Sequence, residues 1–129
     1  MNEAQAFDQE QFQAVKSGQQ DCLWCDLSGA DFTGANFKGM DLAGADLTKA
    51  KLTNADFTDA NLAGDFLTGA DLTGAILKGA NLAGAIFYEV DFTGVDLTEV
   101  NLEHTYCDWI TKFPADSGWS CVGVTSKRE

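Results

Sequence analysis

From Leu27 to Leu102 a large apolar residue returns at every fifth position without a slip: Leu27, Phe32, Phe37, Leu42, Leu47, Leu52, Phe57, Leu62, Leu67, Leu72, Leu77, Leu82, Phe87, Phe92, Leu97 and Leu102. A small residue, usually alanine, stands two places earlier. Asp or Asn usually lies between the two, and Gly usually follows two places after the large residue. Five is not a helical period, because it drifts about 140° per repeat on a 3.6-residue helix. It is not a plain strand period either, since an odd spacing flips successive leucines between faces. The pattern is satisfied if the chain turns a corner in every repeat, with the large and the small residue inside and the rest outside. Gly after the centre suits such a corner, because a type II turn needs φ > 0 at its third position. Where Lys49, Asp59, Glu89 and Glu99 replace that Gly, a long side chain disfavours φ > 0 and predicts a different turn; Asn54 is compatible with either.

The segments Ala30-Asp31-Phe32-Thr33-Gly34, Ala45-Asp46-Leu47-Thr48-Lys49 and Ala80-Asn81-Leu82-Ala83-Gly84 resemble the A(D/N)LXX motif of the pentapeptide-repeat family, and the resemblance covers well over half of the chain. It implies an all-β solenoid, a right-handed quadrilateral β-helix of about four coils, each coil made of four repeats. At a strand spacing of about 4.8 Å the coils span roughly 19 Å. Residues twenty apart then stack on one face.

The ends depart from the repeat. Glu3 to Ser17 reads as a helix with Phe7, Phe12 and Val15 on its apolar side and Gly18 as its stop. Its expected role is to cap the open first coil. After Leu102, Cys107 takes the next central position and Lys112 the one after, which no core accepts. Trp109, Ile110, Phe113, Trp119, Val122 and Val124 form an apolar cluster read as a C-terminal cap begun by Pro114, with Ser126 to Glu129 frayed. One domain is expected over 1–129: a helical cap at 1–21, the β-helix at 22–106, and a cap and tail at 107–129.

The net charge of −12 comes mainly from the Asp of the motif. It argues against nucleic acid or an anionic membrane as a direct partner and allows a basic protein partner. The first ten residues lack a basic-then-apolar leader and no stretch is long enough to span a bilayer, so a cytoplasmic location is expected. Cys22-Leu23-Trp24-Cys25 admits buried thiols, a local disulfide, or a redox or metal role. A four-cysteine zinc site is disfavoured, since Cys25 and Cys107 lie roughly 19 Å apart along the axis of such a solenoid. A CxxC ahead of the first repeat is, by the family resemblance, structural. Cys107 and Cys121 can also meet within the C-terminal cap.

On one face the outward position before the centre reads Asp26, Asp46, Phe66, Ile86, Tyr106, with Tyr88 nearby. An apolar stripe where the motif wants Asp or Asn marks a candidate contact surface, open to a protein partner or to a second copy of the chain. Asp65 is the clear violation inside the repeat: a carboxylate in the small inward position, expected to bond to corner amides or to keep its proton. His104 is the single histidine, and no Ser/His/Asp or Cys/His pairing or phosphate loop is present. The expectation is a non-enzymatic interaction module without cofactor or metal. The alternative drawn from the family resemblance is a DNA mimic acting on DNA gyrase. The short, unbroken run departs from the longer, loop-bearing members of that branch.

Overall fold

The computed structural model describes residues 7–115, 117–122 and 124–127. Each five-residue repeat folds as one edge of a square. In Phe32–Ala35, for example, the Ala35 N–H donates to the Phe32 carbonyl at 2.9 Å, and Gly34 takes φ +71° at the third position of the turn. The Gly34 N–H is then free to donate sideways to the Thr53 carbonyl at 2.8 Å. Repeated along the chain, this pairs each residue with the one twenty further on in parallel bridges: Asp21 with Asp41, Asp26 with Asp46, Asp31 with Lys51, Asn36 with Asp56. Four such ladders form the four faces.

The interior is filled by the large residue and the small residue of every repeat. Leu27, Phe32, Leu42, Leu47, Leu52, Phe57, Leu82 and Phe92 are fully buried, as are Ala30, Ala45, Ala55 and Ala85. Like residues stack one strand spacing apart: the Phe37 and Phe57 rings lie 4.8 Å apart and 9° from parallel. The Asp or Asn before the centre has its own local task. Asp31 Oδ1 accepts from the Thr33 N–H at 3.0 Å and from Thr33 Oγ1 at 2.6 Å, and Asp56, Asp71 and Asp91 bond the residue two places on in the same way. These bonds favour the ionised form and hold Asp31, Asp56, Asp71 and Asp91 below the usual carboxylate range. The acidity of the chain is thus tied to turn formation.

The corner expectation is overturned. Lys49 (φ 58°), Asp59 (58°), Glu89 (60°) and Glu99 (62°) all adopt the left-handed conformation, as do Asn54, Trp24 and His104. At Lys49, Asn54 and Asp59 the reason is the stack, whereas the Glu89 N–H donates to Asp108 Oδ1 at 3.2 Å and Glu99, among the described residues, takes the same corner without a ladder bond from its N–H. Lys49, Asn54 and Asp59 each donate their N–H at 2.9 Å to the carbonyls of Thr68, Thr73 and Lys78, and a different turn would break that bond and the register. Left-handed backbone costs roughly 1–2 kcal/mol at a non-glycine residue, and the ladder outweighs it. Trp24, Asn54 and Asp59 are matched by glycine one rung on. A Cβ at Gly44 would collide with the Trp24 ring, and one at Gly74 with the Asn54 side chain.

Helix α1 spans Gln9–Lys16, shorter than the expected Glu3 to Ser17; the part from residue 3 to 6 lies outside the described residues. Asp8 sets the start as N-cap, accepting from the Gln11 N–H at 3.0 Å, and Ser17 and Gly18 end it. Phe12 packs on Phe32 at 5.2 Å, while the Asp8 N–H donates to the Asp26 carbonyl and Gln11 Oε1 accepts from the Asp26 N–H.

At the other end the sequence expectation for Lys112 is corrected. One extra residue between Cys107 and Phe113 shifts the register, so Lys112 lies outward, paired with Asp91, and Phe113 takes the centre. Phe113 stacks on Phe92 at 5.6 Å, 9° from parallel, and Thr111 fills the small inward position, its Oγ1 donating to the Phe87 carbonyl at 3.0 Å. The ladder therefore passes the expected boundary at 106. Beyond Pro114, β1 (Trp119–Val122) and β2 (Val124–Lys127) form an antiparallel hairpin, which takes in Ser126 and Lys127 rather than leaving them frayed.

One seam is open. Among the described residues no backbone hydrogen bond joins Asp71–Gly79 to Asp91–Glu99, although the same positions one rung earlier are fully bonded. Val90 and Val95 stand there in the small inward position where the preceding rung has Ala70 and Ala75. Val100 and Thr105 stand in the same position on the other two faces, where the Asn101 N–H still reaches the Ala80 carbonyl at 3.1 Å and the Tyr106 N–H the Ala85 carbonyl at 2.9 Å, so the opening is confined to the faces of Val90 and Val95.

Candidate functional site: an apolar solenoid face

A β-rung exposes every second residue, so the outward position before the centre forms a continuous column on each face. On one face the column runs Asp46, Phe66, Ile86, Tyr106, linked rung to rung by parallel bridges. The backbone beneath is closely bonded: the Leu67 N–H donates to the Ile86 carbonyl at 2.7 Å and the Phe87 N–H to the Tyr106 carbonyl at 2.9 Å. Phe66 keeps 43% of its surface exposed, Tyr88 38% and Tyr106 46%, while Ile86 is half-buried. Phe66 and Ile86 lack the side-chain oxygen with which Asp31 or Asp56 holds its own turn. Apolar side chains there give up a local stabilising bond in exchange for a sticky surface.

The extra residue between Cys107 and Phe113 enlarges the same corner. Asp108 Oδ1 accepts from the Glu89 N–H at 3.2 Å, placing this loop under Tyr88 and Glu89. Trp109, 89% exposed, and Ile110 project from it. Sequence reasoning assigned both to a C-terminal cluster; the spacing of six between Cys107 and Phe113 was the available signal. Glu89 and Asp108 lie at this end of the face, and Asp46 at the other.

Asp65 lies directly inside Phe66. It is fully buried, its Oδ1 accepting from the Ala45 N–H at 3.0 Å, while Oδ2 is buried without a hydrogen-bond partner. Burial pushes the carboxyl up to about 9, against the pull of the Ala45 and Gly44 amides and with help from Asp41 and Asp46. Asp65 therefore keeps its proton at neutral pH.

The four cysteines are paired, Cys22 with Cys25 (Cα–Cα 5.4 Å) and Cys107 with Cys121 (5.9 Å). The second pair ties β1 to the buried central position of Cys107. Among the described residues no group of three His, Cys, Asp or Glu side chains is placed to hold a metal ion, and no helix is long and apolar enough to cross a membrane. His104 sits exposed at a corner, φ 58°.

Comparison with known proteins agrees with this geometry. The family model described as pentapeptide repeats matches residues 25–64 and 67–103 in eight copies; the break between them falls on Asp65 and Phe66. No curated protein matches the chain. The solved pentapeptide repeat protein Rfr23 from the cyanobacterium Cyanothece 51142 is 33% identical, with a TM-score of 0.70. The alignment covers 72% of this chain and 63% of that one, so this chain spans less than two thirds of its length. The pentapeptide repeat protein alr5209 from Nostoc Pcc 7120 is 31% identical over 83% of this chain and 84% of that one, with a TM-score of 0.57. A pentapeptide repeat protein of the Arabidopsis thaliana thylakoid lumen is 36% identical over 69% of this chain and 58% of that one, with a TM-score of 0.46. The fold is the right-handed quadrilateral β-helix of these proteins. On the repeat, the ladder and the match over more than half its length, the chain belongs to the pentapeptide repeat family.

Proposed function

We propose that this chain is a non-enzymatic protein-interaction module of about four coils, capped by α1 at one end and by the 107–129 segment at the other, which docks a partner on the Phe66/Ile86/Tyr88/Tyr106 face. The observation that supports it is the replacement of turn-holding Asp or Asn by apolar residues on three successive rungs of one face. Exposed contiguous apolar residues of this kind mark contact surfaces. The carboxylates of Glu89, Asp108 and Asp46 beside it favour a basic partner. At about 150–250 Å² for a whole aromatic side chain, the exposed fractions of the patch amount to on the order of 300 Å². That is less than the roughly 800 Å² per partner of a stable interface, so the patch serves a small or transient contact better than a homodimer.

A DNA mimic acting on gyrase is less well supported. The apolar face, and Lys38, Lys51, Lys78 and Lys112 on the others, interrupt the acidic rows that mimicry needs. Two disulfides suit an oxidising compartment better than the cytoplasm expected from the sequence, and we place the chain in such a compartment.

The test is site-specific photo-cross-linking in the native host, with a photoreactive phenylalanine at Tyr88 and, as control, at Thr73 on the neighbouring face. A single recurrent protein captured from Tyr88, lost on Phe66→Asp and not captured from Thr73, is the expected result. Equal capture from both faces, or none from Tyr88, overturns the assignment.

A further inference from the structure

We propose that the free edge of the solenoid at residues 95–100 binds an extended, cationic peptide segment of another protein, which adds to the ladder as the next rung. The proposal concerns a different surface from the apolar face and stands independently of it.

The register fixes which backbone groups point out of that edge. On this side of the square two rungs earlier, the Phe57 N–H donates to the Ile76 carbonyl, the Asp59 N–H donates to the Lys78 carbonyl, and the Ala55 carbonyl accepts from the Ile76 N–H. The equivalent groups at the end of the solenoid are the Leu97 and Glu99 N–H and the Val95 carbonyl. Among the described residues none of the three has a partner. The contrast with the opposite end is plain: there α1 supplies the Asp8 N–H and Gln11 Oε1 to the free edge at Asp26.

The edge opens into a cavity of about 660 Å³ between residues 95–100 and the chain at 114–119, with Pro114, Ala115, Ser117 and Trp119 on the far wall. This volume lies within the range of small-ligand sites, about 300–1,000 Å³. The vacancy has a cause in the path of the chain. Lys112 pairs with Asp91 and so begins the next rung, but past Phe113 the Ser117 N–H turns back to the Pro114 carbonyl at 3.1 Å, and the chain leaves for β1. A ligand strand would take up the ladder where the chain abandons it, continuous with the chain's own Lys112 rung. Unpaired strand edges are the usual seat of such strand addition.

The repeat also specifies the ligand. A residue stacked over Leu97 points inward and should be large and apolar. Its two neighbours point outward beside Asp96 and Thr98, with Glu99 at the corner, and should be cationic. Hydrogen bonds from Thr98 hold the Asp96 carboxyl below the usual range, so it is charged. The nearby cation is Lys78, 3.9 Å from Glu99 and largely exposed. A second copy of the chain fits less well: both carry −12, and residues 106–113 and the hairpin already occupy part of this end.

The experiment titrates the disulfide-bonded chain with a blocked hexapeptide, alanyl-lysyl-leucyl-lysyl-glycyl-lysine amide, followed by amide resonances and hydrogen exchange. The expected result is a shift of the Leu97 and Glu99 amides and at least tenfold slower exchange of both at saturation. Methylating the backbone nitrogen of the lysine before leucine, which would donate to the Val95 carbonyl, should abolish the effect. So should replacing the lysines by glutamates, or filling the cavity with Ala115→Trp. Tyr106→Asp, on the apolar face, should leave it intact, so failure here and failure of the apolar face are distinguishable. No shift at millimolar peptide overturns the proposal. So do equal binding of the methylated peptide, shifts spread over the acidic faces, or Leu97 and Glu99 amides already protected in the free chain by self-association.

Discussion

Asp65 occupies a position built for alanine, and its effect on stability can be worked out with its sign. Its carboxyl titrates near 3.8 when unfolded and is raised to about 9 when folded. Below pH 4 both states are protonated and the carboxyl costs nothing by linkage. Between about 4 and 9 the unfolded chain releases the proton while the folded chain retains it. Stability therefore falls as pH rises through this window, by up to about 4 kcal/mol at pH 7 at 1.36 kcal/mol per unit. The aspartates held below the usual range by Thr bonds act with the opposite sign, so a difference between variants is needed to isolate Asp65. The Ala45 N–H also donates to the Leu42 carbonyl at 3.0 Å, so removing the carboxyl orphans no donor. Asp65→Ala should raise the unfolding midpoint at pH 7, with the gain shrinking toward pH 4. Urea unfolding of both proteins at the two values checks it; a variant less stable than the parent at both would show that the fold depends on the carboxyl. The anomaly itself was legible in the sequence, because the period of five holds through Leu62 and Leu67. What the sequence left open was whether the group bonds to amides or keeps its proton, and the answer is both. The left-handed corners at Lys49 and Asp59 are not legible from local conformational preference, because stacking adds hydrogen bonds that outweigh it; Glu89 and Glu99 keep the same corner without a backbone ladder bond.

At the scale of the element, the rungs open only on the faces of Val90 and Val95, while Val100 and Thr105 leave theirs closed. Ala50 and Ala70 permit a 3.0 Å bond from the Asp71 N–H to the Ala50 carbonyl, whereas no such bond forms between Asp91 and Ala70 beside Val90. The open seam should show in hydrogen exchange: the Leu72, Leu77, Asp91 and Asp96 amides should exchange faster than those of Leu52, Phe57 and Asp71. Val90→Ala combined with Val95→Ala should slow the first group at least tenfold. Unchanged exchange in the double variant would show that something other than side-chain volume holds the seam apart. The alanine-to-valine change at 90, 95 and 100 is visible in the sequence, as is the interval of six between Cys107 and Phe113. Neither was interpretable alone, because a change of volume or register has meaning only against the rung it must stack on. The column of Phe66, Ile86 and Tyr106, in contrast, was readable directly, since a period of twenty follows from four five-residue edges.

For the whole molecule, stability runs along one axis, each rung contacting its neighbours alone, so that a weak interface divides the chain rather than weakening it evenly. Here the weak interface is the open seam, and the segment beyond it is tied back by the Cys107–Cys121 disulfide, fourteen residues apart. An antiparallel pair such as β1–β2 is marginal by itself, and the disulfide, with Trp119 packed against the core, anchors it to the solenoid. A loop of that length is worth about 3 kcal/mol of chain entropy. Cys121→Ser should remove it while leaving the Cys22–Cys25 pair near α1 untouched. The expected consequence is two-stage opening: residues 90–122 lose exchange protection first, while 27–70, held by complete ladders and by α1, keep theirs. Mass-spectrometric hydrogen exchange through a urea series reads both stages at once. Loss of protection across 27–122 in a single step would mean that the coils on either side of the seam remain coupled through Leu82–Asn101 and Phe87–Tyr106, the two bonded faces, strongly enough to unfold as one. Protection at 90–122 unaffected by Cys121→Ser would mean that Phe113 on Phe92 and Thr111 on Phe87 hold the end without the disulfide.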